Sequence, residues 1–120
     1  MARILLVEDE HSIRFVTALN LQMYDYEVAE AWDGLEAQYL LCNGRVDLVI
    51  TDLLLPYMNG LELITWLQRE HDYTPVIAVS AHADSLNQAA GLGVDAVLKK
   101  PFAVQQMLQT TRAVLEGRIH

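Results

Sequence analysis

Short β-type runs, most of them largely apolar, alternate along this chain with longer segments in which apolar residues recur every three or four positions. Runs of the first kind are typical of strands buried on both faces, and the longer spacing is typical of helices that pack one face on a core. The runs predict five strands, at residues 3–7, 26–31, 47–51, 75–80 and 95–99. A helical segment follows each strand, so the two kinds of element alternate along the whole sequence.

The helical segments each carry an apolar face that should lie on the sheet. The segment at 83–92 is rich in alanine and is the weakest of them. Asp-Gly and Asn-Gly pairs at 33–34 and 59–60 precede the second and third helices, and Pro101 suits the first turn of the last. The predicted core-facing positions are Ile13, Val16, Leu19 and Met23; Leu35, Tyr39 and Cys42; Leu61, Ile64 and Leu67; and Val104, Met107, Leu108, Thr111 and Leu115.

The repeated strand–helix unit implies an α/β fold, a doubly wound parallel sheet with helices on both faces. For five strands the expected order is 2-1-3-4-5. Ligands of such sheets bind beyond the carboxyl ends of the strands, where the strand order reverses, and here the reversal falls between strands 1 and 3. A chain of 120 residues has the size of one domain, so we expect a single domain over residues 1–120.

Charge and composition narrow the function classes. The chain has 16 Asp and Glu against 8 Lys and Arg, a formal net charge of -8. Direct nucleic-acid binding is therefore not expected, because it needs basic clusters. The N-terminal apolar run, Ile4–Val7, is too short for a signal-peptide core or a membrane span. The single cysteine, Cys42, cannot form an internal disulfide and is expected to be buried. Because a chain without disulfides suits a reducing compartment, we expect a cytoplasmic protein that does not insert into a membrane.

The strand ends bring together residue types that could form a site. Glu8 and Asp9 follow strand 1, Asp52 follows strand 3, Ser80 ends strand 4 and Lys100 follows strand 5. Neighbouring strands lie about 4.8 Å apart, so Asp9 and Asp52 should be neighbours, with Lys100 reaching back over Ser80 toward Asp52. Each residue alone is typical of a solvated loop or a helix cap. The convergence of all of them favours a functional site.

A cluster of carboxylates such as Glu8, Asp9 and Asp52 repels itself, raises a pKa or binds a hard cation such as Mg²⁺. With the cation neutralising the cluster, one carboxylate stays ionised and can attack phosphorus to give an aspartyl phosphate. The charge of the transferred group is then met by the metal, a lysine and nearby donors. This chemistry also accounts for Asp52, because an acid buried after an apolar strand is costly without a partner.

Several segments, in their order and spacing, resemble the receiver domain of the two-component response-regulator family: ILLVEDE, AWDGLEA, DLVITDLLLPYMNGLEL, TPVIAVSAHAD and GVDAVLKKPF. The resemblance covers nearly the whole chain and implies that family's flavodoxin-like fold. It also implies that Asp52 accepts a phosphoryl group, with Mg²⁺, from a sensor histidine kinase or phosphotransfer protein. The modification then changes binding to a downstream protein target or output domain, and the resemblance also allows a phosphorylation-linked dimer.

Individual roles follow from the same resemblance. Asp52, Pro56 and Gly60 match the family's D-x-x-x-P-x-x-x-G run, which makes Asp52 the phosphoryl acceptor. The chain departs from the family where Val97 replaces the aromatic residue that usually moves with the switch hydroxyl. The implied metal ligands are Glu8, Asp9, Asp52 and the Leu54 backbone carbonyl; the phosphoryl-binding and switch residues are Ser80, Ala81 and Lys100, with a Lys100–Pro101 bond that is often cis; and the kinase contacts are Ile13, Arg14 and Phe102.

The resemblance implies no enzyme in the usual sense, only phosphorylation of the domain itself and slow self-dephosphorylation, and no output domain is expected in this sequence. Three alternatives stay open. A phosphate-independent, receiver-like binding module would keep the fold, and Val97 gives it some weight. A hydrolase with a strand-end aspartate would need a second acid where Leu54 stands. A flavoprotein would need glycine and hydroxyl residues, not acids, after strand 1.

Overall fold

Over residues 1–117, the part of the chain that the computed structural model describes, five strands alternate with five helices. The last residues of the predicted domain, 118–120, lie outside this part. No helix in it is long and apolar enough to cross a membrane. The strands are β1 (Arg3–Val7), β2 (Glu27–Ala31), β3 (Leu48–Asp52), β4 (Val76–Ser80) and β5 (Ala96–Lys99). The helices are α1 (His11–Met23), α2 (Gly34–Cys42), α3 (Gly60–Glu70), α4 (Ala83–Gly91) and α5 (Val104–Gly117).

All strands are parallel and follow the order β2-β1-β3-β4-β5, which confirms the predicted doubly wound sheet. Strand β1 lies between β2 and β3, with Val7 opposite Thr51. On the other side of β3, Ser80 of β4 lies opposite Lys99 of β5. The register therefore places the residues that follow Val7 beside Asp52, and it aligns the ends of β4 and β5.

Side chains alternate between the two faces of the sheet, and each face has its own helices. Leu5, Val7 and Val49 belong to a core that includes α2, α3 and α4. Ile4 and Leu6 belong to the opposite core, which includes α1 and α5. The central strands are thus buried on both sides, and they need apolar residues at successive positions. This is why they appear in the sequence as continuous apolar runs.

The predicted core face of α1 is wrong. Val16, Leu19 and Met23 are 52%, 45% and 70% exposed, and the buried residues of this helix are Ala18 and Leu21. Both stripes have helical spacing, so periodicity alone could not choose between them. The buried stripe is the one that contains Ala18, whose small side chain allows the helix to pack closely on the sheet. The other stripe gives α1 an apolar surface toward solvent.

The predicted core face of α2 is wrong in the same way. Leu35, Tyr39 and Cys42 are exposed, whereas Ala37 and Leu41 are buried. Cys42 is therefore a solvent-facing thiol and not the buried one that the pattern predicted. Apolar residues lie on more than one side of this helix as well, so its sequence is compatible with two orientations on the sheet.

The core faces of α3 and α5 are largely confirmed, but the start of α5 is not as predicted. The helix begins at Val104, which is 42% exposed, and Pro101 lies in the preceding loop. Proline's fixed backbone angle suits a loop as well as a first helical turn. The Lys100–Pro101 bond is cis, as the resemblance implied. The residues buried as predicted are Ile64, Leu67, Met107, Leu108 and Thr111.

The starts of α2 and α3 are set by side-chain caps. The Asp33 carboxylate accepts a hydrogen bond from the Glu36 backbone N–H at 2.7 Å. Asn59 and Glu62 form a reciprocal capping box at the start of α3. These caps confirm the two turn signals in the sequence, and the second ends the loop that follows Asp52.

Candidate functional site

Three carboxylates meet at the carboxyl edge of the sheet. One oxygen from each of Glu8, Asp9 and Asp52 lies within 4.8 Å of the other two. Glu8 and Asp52 are only 5% and 7% exposed, while Asp9 is open to solvent. The adjacent ends of β1 and β3 carry these residues, so the predicted proximity of Asp9 and Asp52 is confirmed. Like charges this close and this sheltered need a cation beside them.

Lys100 supplies a positive charge to this cluster. Its ammonium donates a hydrogen bond to Glu8 Oε1 at 2.7 Å and another to Asp52 Oδ2. The reach to Asp52 was predicted from the strand order, but the bond to Glu8 was not. Both carboxylates depend on this contact, because removing one partner of a buried ion pair leaves an uncompensated charge.

The pKa values of Glu8 and Lys100 reflect this sharing of charge. Burial raises the pKa of Glu8, the hydrogen bond from Lys100 opposes the rise, and the nearby Asp52 charge adds to it, so the net shift is upward. Burial by itself would lower the pKa of Lys100, but hydrogen bonds to Asp52 and Glu8 outweigh burial and raise it. The cluster therefore holds two buried carboxylates for one ammonium, and a further cation would be accommodated.

Asp52 is held in one orientation by its neighbours. Its Oδ1 accepts a hydrogen bond from the Leu54 backbone N–H at 3.0 Å, and its Oδ2 accepts from Lys100. The Thr51 hydroxyl donates to the Asp52 carbonyl oxygen at 2.9 Å. Because Asp52 ends β3, a rigid element carries its carboxylate. The role of the Leu54 carbonyl as a metal ligand stays a prediction.

Ser80 ends β4, the strand next to β3, and is 1% exposed. Its Oγ accepts a hydrogen bond from the His82 backbone N–H at 3.0 Å, and its carbonyl oxygen accepts from the Lys100 backbone N–H at 2.9 Å. His82 is the N-cap of α4, so the Ser80 hydroxyl is joined to the start of that helix. Ala81 lies between them and is exposed. The switch roles of Ser80 and Ala81 stay predictions.

Val97 stands on β5, an edge strand of the sheet, where the resemblance implies an aromatic ring. It lies opposite Ala78 of β4 and is 41% exposed. A short branched side chain replaces the ring, so no aromatic residue at this position is available to move with Ser80. The consequence for signalling stays a prediction.

Gly60 supports the site through a contact that the sequence did not reveal. Its N–H donates to the Leu53 carbonyl at 2.9 Å. A Cβ at this position would lie 2.5 Å from the Leu53 Cα and closer still to the Asp52 carbonyl oxygen. The Asn-Gly signal indicated a turn, but only the packed structure shows that the backbone of Asp52 passes against this residue.

Arg14 is the second support that the sequence did not reveal. Its Nη1 donates to the Glu8 carbonyl oxygen at 2.8 Å. The side chain is 12% exposed, so little of it is available to the kinase contact expected from the resemblance.

The donor set fits Mg²⁺. All the clustered side chains offer carboxylate oxygens, and among residues 1–117 no histidine or cysteine joins the group. Oxygen ligands are those of hard cations, whereas nitrogen and sulfur ligands favour zinc. Exposed Asp9 leaves the cluster open to solvent on one side, which suits an ion that keeps several waters.

Comparison with known proteins agrees with this site. The family model for the response regulator receiver domain matches residues 4–112. Response regulator MprA of Mycobacterium sp. (strain KMS) is 36% identical over 115 residues, which cover 94% of this chain and 50% of that protein. Response regulator ArlR of Staphylococcus aureus (strain USA300) is 36% identical over 117 residues, which cover 96% of this chain and 53% of that protein.

Solved structures include a similar protein of the same size. The chemotaxis response regulator CheY4 of Vibrio cholerae aligns with a TM-score of 0.88 at 31% identity, over 95% of this chain and 98% of that one. The chain spans about half the length of the curated relatives it matches. The match over nearly all of its residues confirms both the fold and the resemblance. This chain belongs to the response regulator receiver domain family, the phosphorylatable switches of two-component signalling.

Proposed function

We propose that this chain accepts a phosphoryl group on Asp52, from a phosphohistidine of a sensor histidine kinase or phosphotransfer protein, at a Mg²⁺ site formed with Glu8 and Asp9. The observation that supports this most strongly is the cluster of three carboxylates joined to Lys100 by two hydrogen bonds. It provides a nucleophile, a cation site and a positively charged ammonium within one hydrogen-bonded group. Fold alone would not require that combination.

In the transfer, an Asp52 carboxylate oxygen forms a bond to phosphorus as the phosphorus–nitrogen bond of the donor breaks, and the bonding pair stays on the imidazole nitrogen. Glu8, Asp9 and Asp52 would hold Mg²⁺, which would offset the negative charge of the phosphoryl oxygens and the carboxylates. Lys100 already contacts Asp52 Oδ2, so its ammonium can move onto a phosphoryl oxygen over a short distance. The Leu54 N–H keeps the carboxylate oriented from the other side.

The direct test is intact mass after incubation of the wild-type protein with acetyl phosphate. We expect one phosphoryl group per molecule when Mg²⁺ is present and none when the metal is removed with a chelator. A small phosphodonor needs only the site itself, so the result does not depend on knowing the kinase. A folded protein that gains no phosphoryl group and binds no Mg²⁺ would instead favour the phosphate-independent binding module.

Mg²⁺ is expected to stabilise the fold through these carboxylates. At a concentration ten times its Kd, a ligand that binds only the folded state adds about 1.4 kcal/mol to the free energy of unfolding. Urea denaturation with and without Mg²⁺ should show this gain in the wild type, and Asp9→Asn should lose most of it. Asp84→Asn is the matched control, because Asp84 is an exposed acid in the first turn of α4. Equal stabilisation of Asp9→Asn and the wild type would exclude Asp9 as a ligand.

A groove beside the site suits the phosphodonor protein. It has a volume of about 620 Å³, is lined by Ile13 and Val16 of α1 and by Phe102 after β5, and reaches Ala81 and Lys100. It continues into the exposed apolar stripe of α1. A protein docked here would bring its phosphohistidine to the Lys100 end of the groove. Exposed apolar residues next to a polar site are typical of protein-binding surfaces.

Val16→Asp should therefore slow transfer from a phosphorylated histidine-phosphotransfer domain by about tenfold, the effect of losing one significant interface contact. Acetyl phosphate should phosphorylate this variant at the wild-type rate. Tyr39→Asp, which alters an exposed apolar residue on α2, is the control and should leave both rates unchanged. If Val16→Asp has no effect on transfer from the protein donor, docking occurs on another surface.

The structural response to phosphorylation is proposed to begin at Ser80. Phosphorylation adds nearly two negative charges, and the Ser80 hydroxyl can then donate to a phosphoryl oxygen. Its present bond to the His82 N–H would change, and the start of α4 with it. Because Val97 carries no ring, the structural change that alters binding to a downstream protein or to a second copy of the chain is proposed to pass through the loop after β4.

The cytoplasm is the proposed location of the protein.

A further inference from the structure

Arg14 is a charged residue of α1 whose side chain is largely buried and fully engaged. Its Nη1 donates to the Glu8 carbonyl oxygen at 2.8 Å, and its Nε lies 3.3 Å from Glu30 Oε1 on β2. Its Nη2 lies 3.1 Å from His11 Nδ1 at the start of α1. Charged side chains are rarely this buried unless they are paired. The three contacts join α1, β2 and the loop that carries the metal-binding acids.

The Glu8 carbonyl belongs to the peptide unit that links Glu8 to Asp9. That unit is planar, so the direction of its carbonyl also sets the direction of the Asp9 N–H. It also limits the directions in which the Glu8 and Asp9 side chains can extend from the backbone. The other end of Glu8 is held by its own N–H, which donates to the Ala31 carbonyl at 3.0 Å. Arg14 therefore holds the backbone carbonyl of Glu8, as Ala31 holds its backbone N–H, and the Glu8 carboxylate is held separately by Lys100 and the Glu10 N–H.

Asp9 depends on this constraint more than Glu8 does. The Glu8 carboxylate is buried and bonded to Lys100, whereas Asp9 is exposed. The backbone is thus the main restraint on where the Asp9 carboxylate points. A free loop at this position would lose conformational entropy on binding a cation, and a loop already held by Arg14 loses less.

We infer that Arg14 is a positioning residue for the metal site, acting through its hydrogen bond to the carbonyl of the Glu8–Asp9 peptide, whereas its ion pair with Glu30 is a separate contact between α1 and β2. The inference rests on the proposed function, because it concerns the same Mg²⁺ site. Contacts that orient metal ligands from outside typically change metal affinity or activity by 10- to 100-fold when they are removed. An effect at the lower end, about tenfold in Mg²⁺ affinity, is expected here.

The test is calorimetric titration of Mg²⁺ into the wild type, Arg14→Met and Glu30→Gln. Methionine keeps an unbranched apolar stem but cannot donate a hydrogen bond. Glu30→Gln removes the ion pair between α1 and β2 and leaves the bond from Arg14 to Glu8. We expect about tenfold weaker binding in Arg14→Met and nearly unchanged binding in Glu30→Gln. Titrations at a temperature where every variant is folded separate metal affinity from stability. In NMR spectra, the Asp9 amide resonance should shift from its wild-type position in Arg14→Met but not in Glu30→Gln.

The possible outcomes distinguish the inference from the proposed function. Equal Mg²⁺ affinity in Arg14→Met and the wild type would overturn the inference and leave the site intact. Equally weakened Mg²⁺ binding in both variants would mean that Arg14 acts by connecting α1 to β2, and this result would also overturn the inference. A wild type that binds no Mg²⁺ would remove the proposed site and the inference together. If Arg14→Met does not fold, Arg14→Lys keeps the charge but has one ammonium in place of the planar fork that serves Glu8, Glu30 and His11 together, so a smaller weakening is expected and wild-type affinity would overturn the inference.

Discussion

Replacing Asp52 with asparagine is expected to abolish phosphorylation by acetyl phosphate. The amide matches the carboxylate in shape, and its oxygen can still accept the Leu54 N–H that Oδ1 accepts in the wild type. It has no anionic oxygen to attack phosphorus. Intact mass in the presence of Mg²⁺ should therefore show no phosphoryl adduct, against one per molecule for the wild type.

The control for this change is again Asp84→Asn, which alters an acid outside the cluster and should give the wild-type adduct. A Mg²⁺-dependent adduct on Asp52→Asn would contradict the assignment of the acceptor. Peptide mapping would then show whether Glu8 or Asp9, the other members of the cluster, carries the group.

Asp52→Asn is also expected to stay folded, so that a missing adduct reports on chemistry. Lys100 would keep its bond to Glu8, and a cluster of three like charges would become a cluster of two. Without Mg²⁺ the free energy of unfolding should be equal to that of the wild type or higher, because mutual repulsion falls. A loss of about 3 kcal/mol or more in urea denaturation, the effect of breaking a buried pair, would instead mean that the Lys100–Asp52 contact outweighs the repulsion.

Gly60→Ala is expected to lower the free energy of unfolding by about 1–3 kcal/mol, the usual cost of forcing an extra carbon into a packed site. The new Cβ would meet the Leu53 Cα at 2.5 Å and the Asp52 carbonyl oxygen at a shorter distance. Both are backbone atoms, which cannot rotate away as a side chain can. Because the strained segment includes Asp52, phosphorylation by acetyl phosphate should slow as well.

Gly91→Ala provides a control of opposite sign. Gly91 is the last residue of α4, and a Cβ there would have no atom within 4 Å. Replacing glycine by alanine where the backbone conformation is compatible stabilises a protein by about 0.4–1 kcal/mol, so this variant should be slightly more stable than the wild type. Urea denaturation measures both changes. If Gly60→Ala unfolds at the same urea concentration as the wild type, the chain relieves the contact without cost.

The strands and their order could be predicted from the sequence because a parallel sheet covered on both faces imposes a pattern of its own. Its central strands are short apolar runs, and each of the five predicted runs lies within one residue of a strand in the structure. The alternation with helices then limits the topology to a few arrangements. Since the carboxyl ends of parallel strands meet at one edge, the approach of Asp9 to Asp52 follows from chain order.

The helix faces could be predicted only where the sequence offers a single apolar stripe. α3 has one such stripe, and Ile64 and Leu67 are buried as expected. α1 and α2 have apolar residues on two sides, and spacing cannot say which side meets the sheet. In both helices the buried side contains an alanine, Ala18 or Ala37, whose small side chain allows a close approach to the sheet.

The sequence by itself determined the fold, its family and the acids, hydroxyl and lysine at the strand ends, because those features depend on local pattern and chain order. Only the tertiary structure decided that Lys100 binds Glu8 as well as Asp52, that Gly60 lies against the Asp52 backbone, and that Arg14 holds the Glu8 carbonyl. The first of these contacts joins residues 92 positions apart. Such contacts depend on the reach of side chains and on the close approach of elements distant in sequence, and no local pattern carries that information.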